Sequence, residues 1–306
     1  MKQAPLEPRS ETCPVCACAI SEWRTKRNGD ANYHIERCRS CGFAFVNPRP
    51  SLAYLADYYA RFGHNNSMRS ADFAPTLDSV VAQERVEPNS TLDARRLIAT
   101  IEALRGGSGG RLLDVGCGYG FFSKEALRAG FDVAALELAE NERGIAAAMT
   151  GLDPAAISFE QYAAAPGSMS AILMSQILEH AHDVNEWLSK SNRLLQPQGI
   201  LAIALPNFGS ATRLLMQENE PYITPPEHLN YFSARNLSAL LRKHGFRIEK
   251  VEWVSRIPRR AFEKRLPRFA LPALPLVRLV SGTSLALLDS LGLGVMLNVY
   301  GRRLPA

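Results

Sequence analysis

The chain has 306 residues, 46% of them hydrophobic and 21% charged, which is enough apolar material for a full α/β core with a smaller appended unit. The formal net charge of +5 is low for a nucleic-acid-binding role, and no apolar segment follows Lys2, which argues against a secretory signal. Because Arg278 and Asp289 interrupt the most apolar stretch, no transmembrane helix is expected. These features predict a cytoplasmic protein.

Two Cys-x-x-Cys pairs near the N-terminus indicate a metal-binding module. The pairs are separated by 21 residues and comprise Cys13, Cys16, Cys38 and Cys41. Two such turns can surround Zn²⁺ with four thiolates and leave no open position, so the zinc would be structural. The intervening Asn28-Gly29-Asp30 predicts a hairpin turn, and the proline-rich residues 47–50 predict a rigid linker. A zinc ribbon or knuckle is therefore predicted over residues 1–50.

Beyond the linker the hydrophobic pattern alternates between strands and helices, as in a parallel sheet that is covered on both faces. Helices are predicted over residues 51–59, 91–104, 121–129, 139–149, 184–195 and 234–244. Strands are predicted over residues 111–115, 132–136, 157–159, 171–175, 200–204, 246–254 and 294–300. The predicted fold class is α/β, a Rossmann-like, seven-stranded, doubly wound sheet with the small zinc ribbon at its N-terminus.

A glycine-rich turn follows the first strand of this sheet, in the sequence LLDVGCGYG over residues 112–120. Glycines allow a positive φ and let the backbone approach a ligand closely. A dinucleotide-binding turn would read G-x-G-x-x-G, whereas here the third glycine comes one residue early and Asp114 precedes the first by two positions. The turn therefore favours a nucleotide-containing ligand other than NAD.

Two later segments combine glutamate and histidine. Glu179 and His180 follow the strand over residues 171–175, and Glu227 and His228 lie in the sequence PEHLNYFS. Ligands of such sheets bind outside the carboxyl ends of the strands. Glu179 and His180 are therefore expected at the mouth of the site.

The glycine-rich nonamer resembles motif I of the class I S-adenosylmethionine-dependent methyltransferases, and the resemblance extends over roughly residues 75–255. It implies S-adenosylmethionine as the cofactor and a methyltransferase domain over residues 51–306. It implies that Glu137 holds the ribose hydroxyls, that Asp114 orients the methionine amino end, that Glu160 reads the adenine and that Cys117 packs the loop. The expected cofactor-binding residues are Asp114, Gly116, Cys117, Gly118, Gly120, Glu137, Glu160 and Gln176.

The segment around His180 is similar to the LEH signature of small-molecule methyltransferases, and PEHLNYFS resembles an element of methyltransferases with an N-terminal cysteine knuckle, including sugar C-methyltransferases. The resemblance implies that His180, Glu227 and His228 line the acceptor pocket. Imidazole is the usual proton acceptor near neutral pH, so His180 or His228 is the predicted catalytic base, with Glu227 as its orienting partner. Alternatively, His180 caps the next helix, or His228 anchors a loop.

These features favour methyl transfer from S-adenosylmethionine to oxygen or carbon of a small-molecule or glycan acceptor. An RNA methyltransferase and a non-enzymatic zinc-ribbon adaptor are the alternatives, and the low charge argues against a nucleic-acid partner. A helical insertion or lid is predicted over residues 257–293, where six basic residues fall between Arg256 and Arg268. Such a segment either presents a solvated face or makes peripheral contact with a membrane, in which case the acceptor would be lipid-linked.

Overall fold

The computed structural model describes residues 5–29, 31–62, 75–256 and 283–305. The strands are β1 Ile20–Asn28, β2 Ala31–Cys38, β3 Ala44–Val46, β4 Arg111–Val115, β5 Asp132–Leu136, β6 Met169–Ser175, β7 Leu195–Pro206, β8 Asn230–Tyr231, β9 Phe246–Val254 and β10 Met296–Arg303. The helices are α1 Leu52–Phe62, α2 Leu77–Val86, α3 Asn89–Arg105, α4 Phe121–Arg128, α5 Glu140–Thr150, α6 Val184–Leu194, α7 Ala211–Met216, α8 Ala234–Lys243 and α9 at residues 283–290.

The larger sheet has the strand order β5-β4-β6-β7-β10-β9. Strands β4 to β7 pair in parallel, and β10 runs antiparallel to both of its neighbours. The predicted α/β fold class is therefore confirmed, but the prediction of seven strands is wrong, because the described residues contain six strands in this sheet.

The missing strand is the one predicted over residues 157–159. The chain makes only an isolated parallel bridge beside β5, between Leu136 and Ala155, and then turns through a hydrogen bond from the Tyr162 amide to the Ser158 carbonyl. Phe159 is buried because its ring packs against Trp187 of α6, with 5.1 Å between the ring centroids. The apolar signal at this position comes from packing against a helix.

Alternate side chains of the central strands pack into different layers, as the period of a strand requires. In β4, Leu112 packs with α3 and α4 on one face of the sheet, whereas Leu113 packs with α6 and α8 on the other. Helix caps fix the helix starts: the Asp183 side chain accepts hydrogen bonds from two backbone amides of α6, and Ser233 forms a capping box with Asn236. The sheet is therefore doubly wound, as predicted.

A second sheet contains the N-terminal strands in the order β1-β2-β3-β8. The predicted hairpin is confirmed, since Asn28 pairs with Ala31, although Asp30 lies outside the described residues. Strand β8 comes from the PEHLNYFS segment, so the N-terminal strands and the second Glu-His pair share one sheet. Cys13, Cys38 and Phe43 are buried in the same apolar cluster as α6 and α8.

Most of the predicted insertion over residues 257–293, with the basic cluster that begins at Arg256, lies outside the described residues, which resume at residue 283. Arg256 is described and forms an ion pair with Asp93 at 3.0 Å. None of the described helices combines the length and apolarity that a bilayer crossing requires.

Candidate functional site

The glycine turn begins directly where β4 ends. Gly116, Gly118 and Gly120 have φ values of 68°, 54° and 82°, a backbone region that disfavours other residues. A Cβ added at Gly116 would overlap the Ile177 side chain, whereas a Cβ at Gly118 would meet no atom within 4 Å. The turn is therefore closed by the chain itself at Gly116 and open to a ligand at Gly118.

Glu137 follows β5 and reaches across to this turn. Its carboxylate accepts hydrogen bonds from the backbone amides of Gly118 and Ala139, each at 2.8 Å, and its side chain is buried. One amide bonds to each oxygen, so each oxygen keeps a lone pair for a further donor. The arrangement fits the vicinal diol of a ribose.

Asp114 lies buried inside the same turn, where its Oδ2 accepts a hydrogen bond of 2.6 Å from the Ser123 hydroxyl at the start of α4. Burial and the nearby Glu137 raise the pKa of Asp114 to about 6, against the lowering effect of Ser123. The neighbouring Cys117 packs against Ala135 and Ala146, and burial raises the pKa of its thiol, so Cys117 is a neutral packing residue at neutral pH. The sequence analysis did not identify Ser123.

Two other predicted cofactor residues have different surroundings. Glu160 is exposed, and its carboxylate accepts a hydrogen bond of 2.7 Å from the indole nitrogen of Trp187 in α6. Gln176 directly follows β6 with a φ of 58°, and its backbone amide donates to the Ala204 carbonyl. The structure thus brings Asp114, Glu137 and the glycines together and connects Glu160 to α6.

The two predicted catalytic histidines form a pair. His180 lies in a 3-10 turn, Leu178–His180, and its ring centroid is 4.8 Å from that of His228 at an interplanar angle of 79°. Each Nδ1 lies 2.7 Å from a backbone carbonyl, that of Glu227 for His180 and that of Tyr222 for His228. A carbonyl only accepts, so in the neutral rings Nδ1 carries the proton and Nε2 is basic.

Glu227 contacts this pair through its backbone. Its carbonyl accepts the hydrogen bond from His180, while its buried carboxylate accepts a hydrogen bond of 2.9 Å from the Tyr58 hydroxyl of α1. No sequence signal pointed to Tyr58. Of the alternative roles, capping of α6 belongs to Asp183, whereas the bond from His228 to Tyr222 does anchor a loop.

Glu179 is the residue of this cluster that the sequence analysis placed but assigned no role. Its side chain is 2% exposed, neither carboxylate oxygen has a hydrogen-bond partner among the described residues, and burial raises its pKa to about 8. One ligand atom each of Glu179, His180 and His228 lies within 4.8 Å of the others. Such a group can bind a divalent cation or, with Glu179 protonated, donate a proton.

The four predicted zinc ligands also converge. The sulfur atoms of Cys13 and Cys41 are 3.6 Å apart and those of Cys16 and Cys38 3.4 Å, and all four lie within 4.8 Å of one another. Tetrahedral zinc with bonds of about 2.3 Å needs sulfur separations of about 3.8 Å, so the residues fit the ion. Although burial opposes it, hydrogen bonding from the Cys41 and Ser40 amides lowers the pKa of Cys38 to about 7, which favours the thiolate.

A sequence family described as a methyltransferase domain matches residues 89–251, which is more than half of the chain. The chain belongs to this methyltransferase family. The matched region contains the glycine turn, Glu137 and both histidines. Family membership confirms the predicted methyltransferase class, and S-adenosylmethionine is the cofactor of this class.

Curated relatives match a shorter region. The ubiquinone biosynthesis O-methyltransferases of Sinorhizobium fredii and Caulobacter vibrioides are each 35% identical over 102 residues. These matches cover 32% and 31% of the chain and 41% and 40% of the two relatives. The matched region thus spans about two-fifths of the length of these methyltransferases.

Solved structures share the methyltransferase fold at low sequence identity. An S-adenosylmethionine-dependent methyltransferase from Archaeoglobus fulgidus has a TM-score of 0.52 at 17% identity, over 73% of this chain and 99% of that one. A phosphoethanolamine N-methyltransferase from Haemonchus contortus, solved with S-adenosyl-L-methionine, has the same score and identity over 92% of this chain and 71% of that one. At such identities the likeness shows the fold alone.

Proposed function

We propose that this methyltransferase transfers the methyl group of S-adenosylmethionine to a hydroxyl oxygen of a small molecule. The observation that carries the proposal is the pair of histidines: His180 follows β6, the strand next to β4 and its glycine turn, and His228 lies against it from the loop before β8. The names of the O-methyltransferase relatives support oxygen as the methylated atom.

The cofactor would supply a methyl group on a positively charged sulfur, which the acceptor oxygen displaces. Asp114 and Glu137 would bind the amino and ribose ends of the cofactor. As the oxygen–carbon bond forms and the sulfur–carbon bond breaks, Nε2 of His180 or His228 would take the hydroxyl proton. The hydrogen bonds at each Nδ1 hold the rings in the tautomer that this step needs.

The proposal is tested by incubating the zinc-loaded protein with S-adenosylmethionine labelled in the methyl group and a panel of acceptors. The panel holds dihydroxybenzenes, nucleotide sugars and total RNA, and products are identified by mass. We expect an O-methylated small molecule, at a rate that falls about 100-fold or more in His180→Asn or His228→Asn. The exposed His34→Asn is the control that keeps full activity.

Other outcomes would replace the proposal. Transfer only to RNA would favour an RNA methyltransferase, and a C-methylated sugar would favour the sugar branch. If the folded wild type does not bind S-adenosylmethionine, the non-enzymatic adaptor is the better description. Full activity in both histidine variants would exclude an imidazole base.

We also propose a finer acceptor class, a glycan or lipid-linked molecule, with peripheral membrane contact through residues 257–293. This proposal rests on the basic and apolar sequence of that segment. Co-sedimentation with anionic vesicles tests it: binding that is lost when the five basic residues over 257–268 are replaced by glutamine supports membrane contact, and no binding to any vesicle contradicts it.

A further inference from the structure

A cavity lies between α7, α8 and the cysteine module, the name we give to strands β1 to β3 with the four predicted zinc ligands. No residue of the glycine turn lines it. The cavity has a volume of about 500 Å³ and is partly open to solvent. Four arginines line it: Arg37 and Arg39 from the cysteine module, Arg213 from α7 and Arg235 from α8. We call it the arginine cavity.

The charged side chains that line this cavity are arginines. Serine hydroxyl groups also line it, and among the described residues no aspartate or glutamate does. Within the described part of the chain, no ion pair is found for Arg37, Arg39 or Arg235. The buried Glu220 lies near Arg213 and offsets its charge. The other three arginines are exposed and bring positive charge to one cavity, where an anion would lower their mutual repulsion.

One of the arginines is held in place by specific contacts, and a second lies close to the backbone of the knuckle. Arg213 is 7% exposed, donates from Nε to the Phe208 carbonyl and lies over the Phe208 ring at 4.4 Å from its centroid. The Arg37 guanidinium lies against the knuckle at Gly42, where an added Cβ would be 3.4 Å from Nη2. Preorganised guanidinium groups lose little entropy when they bind an anion.

The cysteine site offsets part of this positive charge. Cys38 and Cys41 line the same cavity, and a Zn²⁺ ion with four thiolates would carry about two net negative charges. Together with Glu220 beside Arg213, that charge is still smaller than the charge of the four guanidiniums. The cavity therefore keeps a net positive charge that attracts an anion.

We infer that the arginine cavity binds a phosphoryl anion, the phosphate or diphosphate group of a small molecule. A single carboxylate is satisfied by one arginine, whereas a diphosphate offers acceptors to several guanidiniums and hydroxyls at once. Phe208 and Arg213 also line the small cavity that contains Glu179 and His228. If the proposed function is correct, the phosphoryl group belongs to the acceptor, and the arginine cavity binds it next to the candidate base.

The test is calorimetric titration of the zinc-loaded full chain with inorganic phosphate and pyrophosphate at constant ionic strength. We expect pyrophosphate to bind more tightly than phosphate, and Arg37→Gln and Arg235→Gln each to weaken binding about 10-fold. Arg128→Gln removes an exposed arginine of α4 as the matched control and should leave binding unchanged. Each variant should still bind S-adenosylmethionine, so failure of this inference is separable from failure of the proposed function.

Two results would overturn the inference: no heat of binding with either anion, or equal weakening in Arg128→Gln, which would indicate unspecific attraction. A nucleoside diphosphate and a short RNA complete the titration. Competition by the nucleoside diphosphate supports a small-molecule ligand. If only the RNA binds and pyrophosphate does not compete with it, the ligand of the cavity is a nucleic acid and not a small molecule.

Discussion

The Glu137 carboxylate organises the cofactor site before any ligand binds. Its two hydrogen bonds tie the end of β5 to Gly118 and to the start of α5. The same oxygens that hold the turn are therefore the ones expected to bind the ribose. Loss of the carboxylate charge should affect both functions.

Replacing Glu137 by glutamine should weaken binding of S-adenosylmethionine about 10- to 100-fold. The amide has one acceptor oxygen in place of two, and hydrogen bonds to a charged acceptor are worth about 1.5 to 3 kcal/mol each. Calorimetric titration measures the change, and the exposed Glu140→Gln at the start of α5 is the control. Equal affinity in Glu137→Gln and the wild type would contradict the ribose assignment.

Glu179 should make the stability of the protein depend on pH. Its pKa is raised to about 8 in the folded state, so folding favours the protonated acid. This contribution is fully present below the ordinary carboxyl pKa near 4.5 and is lost as the pH rises towards 8. The free energy of unfolding should therefore fall over this range, by roughly 4 kcal/mol from this group.

Urea unfolding of Glu179→Gln and the wild type at pH 5 and pH 8 measures this effect. The glutamine variant does not titrate, so its stability relative to the wild type should increase with pH. The exposed Glu186→Gln of α6 is the control and should show no such trend. If the difference in free energy of unfolding between Glu179→Gln and the wild type is the same at pH 5 and pH 8, with and without EDTA, Glu179 is not a buried acid of raised pKa.

At the scale of elements, the short strand β8 connects the cysteine module to the candidate acceptor site. Ala44 of β3 pairs with Tyr231, only three residues after His228. The position of the second Glu-His pair therefore depends on the module that the four cysteines hold together.

Zinc removal should lower methyl transfer more strongly than cofactor binding. Chelation, or Cys13→Ser, should loosen β1 to β3 and with them the loop of His228, because structural zinc sites contribute directly to folding. We expect the unfolding temperature to fall by about 10 °C and the transfer rate by at least 10-fold. Cys18→Ser changes an exposed cysteine outside the cluster and is the control. Unchanged transfer in Cys13→Ser would contradict this coupling.

At the scale of the whole molecule, Arg49 joins the parts on either side of the predicted boundary near residue 50. It donates to the carbonyls of Ala181 and His182 and, at 2.8 Å, to the Asn230 side chain. Burial lowers its pKa to about 10, while Asp183 and Glu7 act in the opposite direction. The arginine remains charged at neutral pH and bonds to two separate segments, at residues 181–182 and at Asn230.

Replacing Arg49 by leucine should destabilise the chain by about 2 to 4 kcal/mol, because buried carbonyls lose their donors. Urea unfolding measures this change, and the exposed Arg27→Leu is the control. We expect the wild type to unfold in one transition and the variant to show an earlier loss of the cysteine module. Two separate transitions in the wild type would show that the parts are independent. The division of the chain near residue 50 stays a prediction until then.

The sequence by itself determined the features that are local along the chain. The glycine turn, the cysteine pairs, the helix caps and most strand positions follow from backbone conformation and side-chain period within short segments. Glu137 was identified through the resemblance to class I methyltransferases, which implies an acid at the end of the second strand. The strand over residues 157–159 was predicted wrongly, because burial of Phe159 against a helix gives the same apolar signal as a strand.

Only the tertiary structure decided which distant residues meet. Tyr58 and Glu227 are 169 residues apart along the chain, and Glu179 and His228 are 49 apart. The arginines of the cavity come from residues 37–39, 213 and 235, and no local pattern connects these distant segments. Their proximity depends on how β8 pairs with β3 and how α7 and α8 pack against the cysteine module. The residues of the cofactor turn are thus contiguous in the sequence, whereas the acceptor site and the arginine cavity form only when these elements pack together.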